Sequence, residues 1–259
     1  MRAVSVPSLI ALALMGLNTT ATVAAENPTW EGFYAGLALG TREQKSEWQQ
    51  TAFTLPNIGA TPTAAGYSAH DTNRDDNGYV GLYGGYNWAI DDKVIAGVEL
   101  AVGYADNQSG KNFIDSTDSF AGFGRPSSSH VSLKTDWDAS LRGRLGYLVT
   151  PDVLVYGAAG LAATRLSSST YCPADNTVCN GAALPRKQTD SENLMGWTAG
   201  FGVESNLGNN LLARAEYQYV DYGDTSYQAM DMEPFQAIGV RNRVEMSAQK
   251  LTLGLAYRF

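Results

Sequence analysis

The sequence predicts an all-β fold: an eight-stranded antiparallel transmembrane β-barrel with short periplasmic turns and long extracellular loops. Three observations carry this. Apolar residues recur with a period of two, not 3.6, through eight segments of about ten residues. The connectors between those segments alternate short and long. The charges within the segments fall on the face opposite the apolar residues.

The segments follow in order. In 30–40, Phe33, Ala35, Leu37 and Leu39 oppose Tyr34, Gly36, Ala38 and Gly40. In 78–89, Val80, Leu82, Tyr86 and Trp88 oppose Gly81, Tyr83, Gly85 and Asn87. In 94–105, Val98, Leu100, Val102 and Tyr104 oppose Ile95, Gly97, Glu99 and Gly103. In 136–149, Trp137, Leu141, Leu145 and Tyr147 oppose Asp138, Ser140, Arg142 and Arg144. Ala and Gly occupy both faces of 153–166, and Val155, Gly157, Ala159 and Leu161 are placed outward. In 194–205, Met195, Trp197, Phe201 and Val203 oppose Gly196, Thr198, Gly202 and Glu204. In 211–220, Leu211, Ala213, Ala215 and Tyr217 oppose Leu212, Arg214, Glu216 and Gln218. In 249–259, Leu251, Leu253, Leu255, Tyr257 and Phe259 oppose Lys250, Thr252, Gly254 and Arg258. Helices would tolerate these segments poorly, since each interior Gly costs about 1 kcal/mol relative to Ala. Short turns are expected near 90–93, 150–152 and 207–210, and long loops at 41–76, 106–135, 167–193 and 221–248. That alternation is the layout of an outer-membrane barrel.

A soluble barrel of the lipocalin kind also has eight strands, but it is apolar inside and polar outside. Charge placement decides between the two. Glu99, Asp138, Arg142, Arg144, Glu204, Arg214, Glu216, Lys250 and Arg258 all share the Gly-rich face. An Arg or Lys facing lipid at mid-depth costs about 2–4 kcal/mol. The charged face must therefore point inward and the oily face toward hydrocarbon. An eight-stranded barrel has an interior that side chains fill, so these nine residues are expected to form a packed, mutually paired polar core. The glycines on that face leave room for long Arg and Tyr side chains. Trp30, Trp88, Tyr104, Trp137, Tyr147, Trp197, Tyr257 and Phe259 are expected in the aromatic girdles.

Composition narrows the function. The 259-residue chain carries 18 Lys+Arg against 26 Asp+Glu, a formal charge of −8, with no basic cluster to meet nucleic acid. Two Cys and two His are too few for a zinc domain. Residues 1–25 read as a cleaved signal peptide: Arg2, an apolar run from Leu9 to Leu17, then Val23-Ala24-Ala25. The barrel domain is expected over 26–259. Export to an oxidising compartment favours a disulfide between Cys172 and Cys179 at a hairpin tip.

Sharper motifs fall short of a site. Residues 71–78 begin like a calcium loop, but the sixth position is Asp76 rather than Gly and the twelfth is Leu82 rather than Glu, leaving a solvated acidic loop. The Gly36/Gly40 and Gly81/Gly85 spacings matter only within apolar helices. His130 and Ser132 share one strand face, an arrangement similar to the H-x-S of outer-membrane lipid A deacylases, but the rest of that family's sequence is absent and Ser127, Ser128 and Ser129 make a nearby Ser cheap. No catalytic, cofactor-binding or metal-binding residue is assigned, and no enzymatic activity is expected.

Several stretches carry a family resemblance. These are 30–36 (WEGFYAG), 81–88 (GLYGGYNW), 97–99 (GVE), 137–147 (WDASLRGRLGY), 196–204 (GWTAGFGVE), 214–217 (RAEY) and the terminal Tyr257-Arg258-Phe259. The chain resembles the porin-like outer-membrane β-barrel family of α-proteobacteria, and is similar to the OmpA transmembrane domain and to bacterial opacity proteins. The resemblance implies an abundant surface protein of the Gram-negative outer membrane, surrounded by outer-membrane lipids and lipopolysaccharide. The final aromatic resembles the signal read by the barrel assembly machinery. The function expected is structural and surface-exposed. Two alternatives stand beside it: a small non-specific porin, and a loop-mediated adhesin for a host or surface ligand.

Overall fold

The computed structural model describes residues 30–55, 59–62, 70–112, 130–172, 186–228 and 239–259. Among the described residues, nine strands make one antiparallel sheet: β1 (Gly32–Leu55), β2 (Gly59–Pro62), β3 (His70–Ala89), β4 (Val94–Asn112), β5 (His130–Thr150), β6 (Val153–Cys172), β7 (Arg186–Gly208), β8 (Leu211–Gln228) and β9 (Gly239–Arg258). The short β2 pairs with the far end of β1, Ala52–Leu55. The other eight are the staves. Each pairs with the next in sequence, and β1 pairs back onto β9 from Tyr34↔Arg258 to Thr54↔Gly239, which closes the barrel.

Sidedness follows the alternation. Phe33, Leu37, Phe201 and Leu253 expose 65%, 58%, 65% and 62% of their surface, while Tyr34, Ala38, Gly202 and Thr252 beside them turn inward. A soluble barrel with this exterior would present an oily belt to water. In a bilayer the belt meets hydrocarbon, and ring closure pairs the backbone groups at that depth. Val155 and Leu161 do face outward.

The short turns are chemically specified. Asp91 caps its turn, its Oδ1 accepting from the backbone N–H of Lys93 and Val94 at 2.8 Å each. The β7–β8 hairpin turns through Gly208, Asn209 and Asn210, all at positive φ (87°, 50° and 62°). Consecutive left-handed residues match the twist of a tight hairpin, and Asn tolerates that region best after Gly.

Three expectations are corrected. The strands are far longer than the ten or so residues a bilayer needs, running to 24 residues in β1. Much of 41–76, 106–135, 167–193 and 221–248 is therefore strand continuing beyond the membrane, not loop. Residues 71–78, read as an acidic loop, lie within β3. Trp30 is no girdle residue: it is 2% exposed and lies inside the periplasmic end of the barrel. The Cys172–Cys179 pairing and the leader 1–25 fall outside the described residues.

Among the described residues the wall is continuous only through the membrane. β3 and β4 pair from Ala89↔Ile95 up to Val80↔Tyr104, and β7 and β8 from Gly208↔Leu211 up to Trp197↔Asp221. Beyond those pairs the described residues show no further ladder at either seam. Each split starts at a bulge. β4 shifts register against β5 between Tyr104 and Asn107, and β8 against β9 between Asp221 and Asp224. In β8 the extra residues include Gly223 at φ 72°, its N–H donating to Asp221 Oδ1 at 2.8 Å. A bulge bends its strand, so β4 and β8 turn away from β3 and β7. Among the described residues, the outer part of the barrel thus forms two lobes, β4–β5–β6–β7 and β8–β9–β1–β3.

Candidate functional site

The interior is stacked in layers, starting from an apolar floor at the periplasmic end. Trp30, Ile95, Leu154 and Leu212 pack together there, and the Trp30 indole N–H donates to the Pro151 carbonyl at 2.9 Å. The alternation puts Ile95 and Leu212 on the inner face, but only the structure shows that they and Trp30 close one end.

Above the floor lies a balanced charge cluster of three carboxylates and three guanidiniums. Adjacent strands supply them in register: Glu99 stands opposite Arg142, and Glu204 opposite Arg214. Arg144 holds Glu204 with two parallel bonds, Nη1 to Oε1 at 3.1 Å and Nη2 to Oε2 at 2.8 Å. Arg142 donates to Glu216 Oε1 at 2.8 Å and also pairs with Glu99. Arg214 reaches Glu99 Oε2 at 2.5 Å and Glu204 Oε1 at 2.6 Å. Charge-assisted, multiply bonded pairs of this kind compensate for the removal of both ions from water.

Tyrosines complete the cluster. Tyr34 donates to Glu99 Oε2 at 2.9 Å, and Tyr156 donates to Glu216 Oε2 at 2.6 Å. The Arg144 guanidinium lies 4.1 Å from the Tyr156 ring centre and that of Arg214 4.0 Å from Tyr83, within cation–π range. These rings fit because glycine faces them: Gly85 beside Tyr34, Gly202 beside Tyr156 and Gly254 beside Tyr83. A β-carbon at any of the three would collide with the phenol end of that tyrosine.

A second, smaller cluster lies toward the outside. Lys250 Nζ is 2.5 Å from Asp138 Oδ1, and Arg42 Nη1 is 3.3 Å from Asp138 Oδ2. Arg42 also donates to Gln44 Oε1 at 3.0 Å and Thr135 Oγ1 at 3.3 Å. Arg42 and Lys250 are direct cross-strand partners, an arrangement that repels unless an anion lies between them. Asp138 fills that role for both. Further out, Leu166, Leu194, Val220, Tyr222 and Met246 form an apolar cluster on the β6–β9 side of the interior.

All nine residues expected on the inner face are buried, at 2–8% exposure. They do not form one core. Six make the balanced cluster, Asp138 and Lys250 belong to the outer one, and Arg258 stands apart, its Nη2 donating to Asn210 Oδ1 at 3.2 Å. Sequence reasoning missed Arg42, the most enclosed of the described charged residues at 0% exposure, because residues 41–76 read as loop. Its signal was available: the phase Tyr34, Gly36, Ala38, Gly40 continues to Arg42. The His130 and Ser132 side chains fall outside the described residues. Among the described residues, no group of three or more His, Cys, Asp and Glu side chains is arranged to hold a metal ion.

Residues 9–259 match the family model of the outer membrane protein beta-barrel domain. The chain is 26% identical over 231 residues to a 25 kDa outer-membrane immunogenic protein of Brucella abortus, covering 89% of this chain and 80% of that one. It is 30% identical over 199 residues to a 22 kDa outer membrane protein of Rhizobium leguminosarum, covering 77% and 67%. Among solved structures, the outer membrane protein OprG of Pseudomonas aeruginosa superposes with a TM-score of 0.56 at 14% identity, covering 88% of this chain and 97% of that one. That likeness extends to the fold alone. The barrel closes with an oily exterior, and the family match and both relatives are outer-membrane proteins: the chain belongs to the outer membrane β-barrel protein family and resides in the bacterial outer membrane.

Proposed function

We propose that this protein is a non-conducting, non-enzymatic membrane anchor for a two-lobed surface structure, with an architectural role in the envelope. On this reading the leader 1–25 is removed on export, and lipopolysaccharide and outer-membrane lipids surround the belt. The single observation that supports it is the filled interior. Trp30, Ile95, Leu154 and Leu212 close the periplasmic end, and the six-membered ionic cluster bridges the lumen above them. A water-filled conduit needs a polar path through both. Each carboxylate of the balanced cluster is engaged by at least two guanidiniums, so opening a path would strand buried charge.

Reconstitution of the folded full chain in planar bilayers tests this. The expected record is a flat baseline at moderate potentials. Stable, reproducible unitary steps would establish the small-porin reading instead.

A further inference from the structure

We propose that Arg165, at the outer rim of the β5–β6–β7 wall, holds the phosphate of an outer-leaflet glycolipid whose acyl chains lie on the apolar surface beneath it. This goes beyond the anchoring role and does not depend on the barrel being closed to ions.

Charge singles out the position. Among the described side chains, four cations face outward on the extracellular side of the belt: Lys45, Arg74, Lys134 and Arg165. Lys45 pairs with Glu47, Arg74 Nε lies 3.6 Å from Glu43 Oε1, and Lys134 Nζ lies 3.0 Å from Asp136 Oδ1. Arg165 is exposed, and among the described residues no carboxylate is paired with it. The outward positions of β6 run Leu161, Ala163, Arg165, so the guanidinium occupies the first polar position above the belt. That is the level of lipid headgroups.

The polar neighbours suit a phosphate. Asn193 is the β7 cross-strand partner of Arg165. One rung further out, Ser167 and Ser191 face each other with their hydroxyl oxygens 3.2 Å apart. A guanidinium binds phosphate through two parallel hydrogen bonds, and amide N–H and hydroxyl groups supply donors for the remaining oxygens.

Below Arg165 the wall suits acyl chains. Leu161, Met195 and Trp197 are exposed there. Six residues separate Arg165 from Ala159, about 20 Å of strand at about 3.3 Å per residue. With the strands tilted by about 40°, this is a depth of about 15 Å, half of a hydrocarbon core about 30 Å thick. At that depth Ala159 stands between Gly143 on β5 and Ala199 on β7. A β-carbon on Gly143 or Gly157 would meet one carbonyl oxygen, at 3.9 Å, so interior packing demands neither glycine. On the lipid side they leave a shallow depression in which chain ends settle. A glycolipid uses both surfaces, whereas free phosphate would use the upper one alone.

The test uses the full chain, folded and delipidated in dodecyl maltoside, titrated with bis-phosphorylated lipid A and read by native mass spectrometry. One tightly held lipid A per barrel is expected. R165Q should weaken it about fivefold or more, the loss of a charge-assisted contact, while R74Q leaves it unchanged. Both variants should keep the folded barrel's resistance to detergent unfolding. Lipid A stripped of its phosphates should bind the parent as weakly as intact lipid A binds R165Q. G143L/G157L fills the depression and should weaken binding several-fold; unchanged binding would overturn the seating of the chains on β5 and β6. Equal binding by R165Q, undiminished binding of dephosphorylated lipid A, or no lipid A adduct at all would each overturn the phosphate site. Displacement of lipid A by millimolar inorganic phosphate would overturn the lipid as occupant, and a dimer that excludes lipid A would assign the face to a second copy of the chain instead.

Discussion

The two charge clusters inside the barrel solve the same problem with different redundancy. The inner cluster holds three acids and three bases, and Glu99 alone touches Arg142, Arg144 and Arg214. The outer one holds Arg42 and Lys250 on a single carboxylate, Asp138. Burial is equally deep in both. The difference teaches that stability here depends on what remains when one group is lost, and less on how many pairs are formed. Loss of an acid leaves the inner cluster with two. Loss of Asp138 leaves the outer cluster with none.

The comparison can be broken in three steps of decreasing size. D138N strands two adjacent buried cations and should cost about 3–5 kcal/mol, the range for removing one partner of a buried pair. E99Q leaves Arg142 on Glu216, and Arg144 and Arg214 on Glu204, so the loss should be nearer 1.5–3 kcal/mol, that of hydrogen bonds to charged groups. K250M removes the surplus cation and leaves Arg42 with Asp138; it should stay within about 1 kcal/mol of the parent, on the stabilising side. Urea unfolding from phospholipid vesicles, followed by tryptophan fluorescence, measures all three. If E99Q proves more damaging than D138N, redundancy is not the governing property. If K250M is strongly destabilising, Lys250 is essential rather than surplus.

The membrane-spanning half was legible because hydrocarbon imposes a rule on every second residue. Leu37, Leu141, Phe201 and Leu253 could face only one way, and Glu99, Arg142, Glu204 and Arg214 only the other. Outside the bilayer that rule lapses. The stretch Thr41, Glu43, Lys45, Glu47 faces water just as Arg42, Gln44 and Ser46 face the lumen, so both faces are polar and alternation vanishes. Strand read as loop for that reason, and Arg42 was lost with it. Trp30 was misplaced on different grounds. It precedes the first ladder pair, Gly32↔Asn87, and the chain bends at Gly32 with φ 127°, so the strand phase does not extend to it. The bulges at 104–107 and 221–224 shift that phase again without any apolar marker. The division of the inner face into two clusters depends on which rungs align across the lumen, and no single strand carries that information.

The long seam between β1 and β9 bears on biogenesis. Its two strands are nearly the whole chain apart in sequence, yet they pair over about twenty rungs. The cylinder cannot shut until the last stave arrives. Until then the arginines and glutamates remain hydrated on an open, curling sheet, and they surrender that hydration together at closure. Insertion therefore ends in one late cooperative event, and a protein stalled before it would present its ionic lining to the lipid it is meant to exclude.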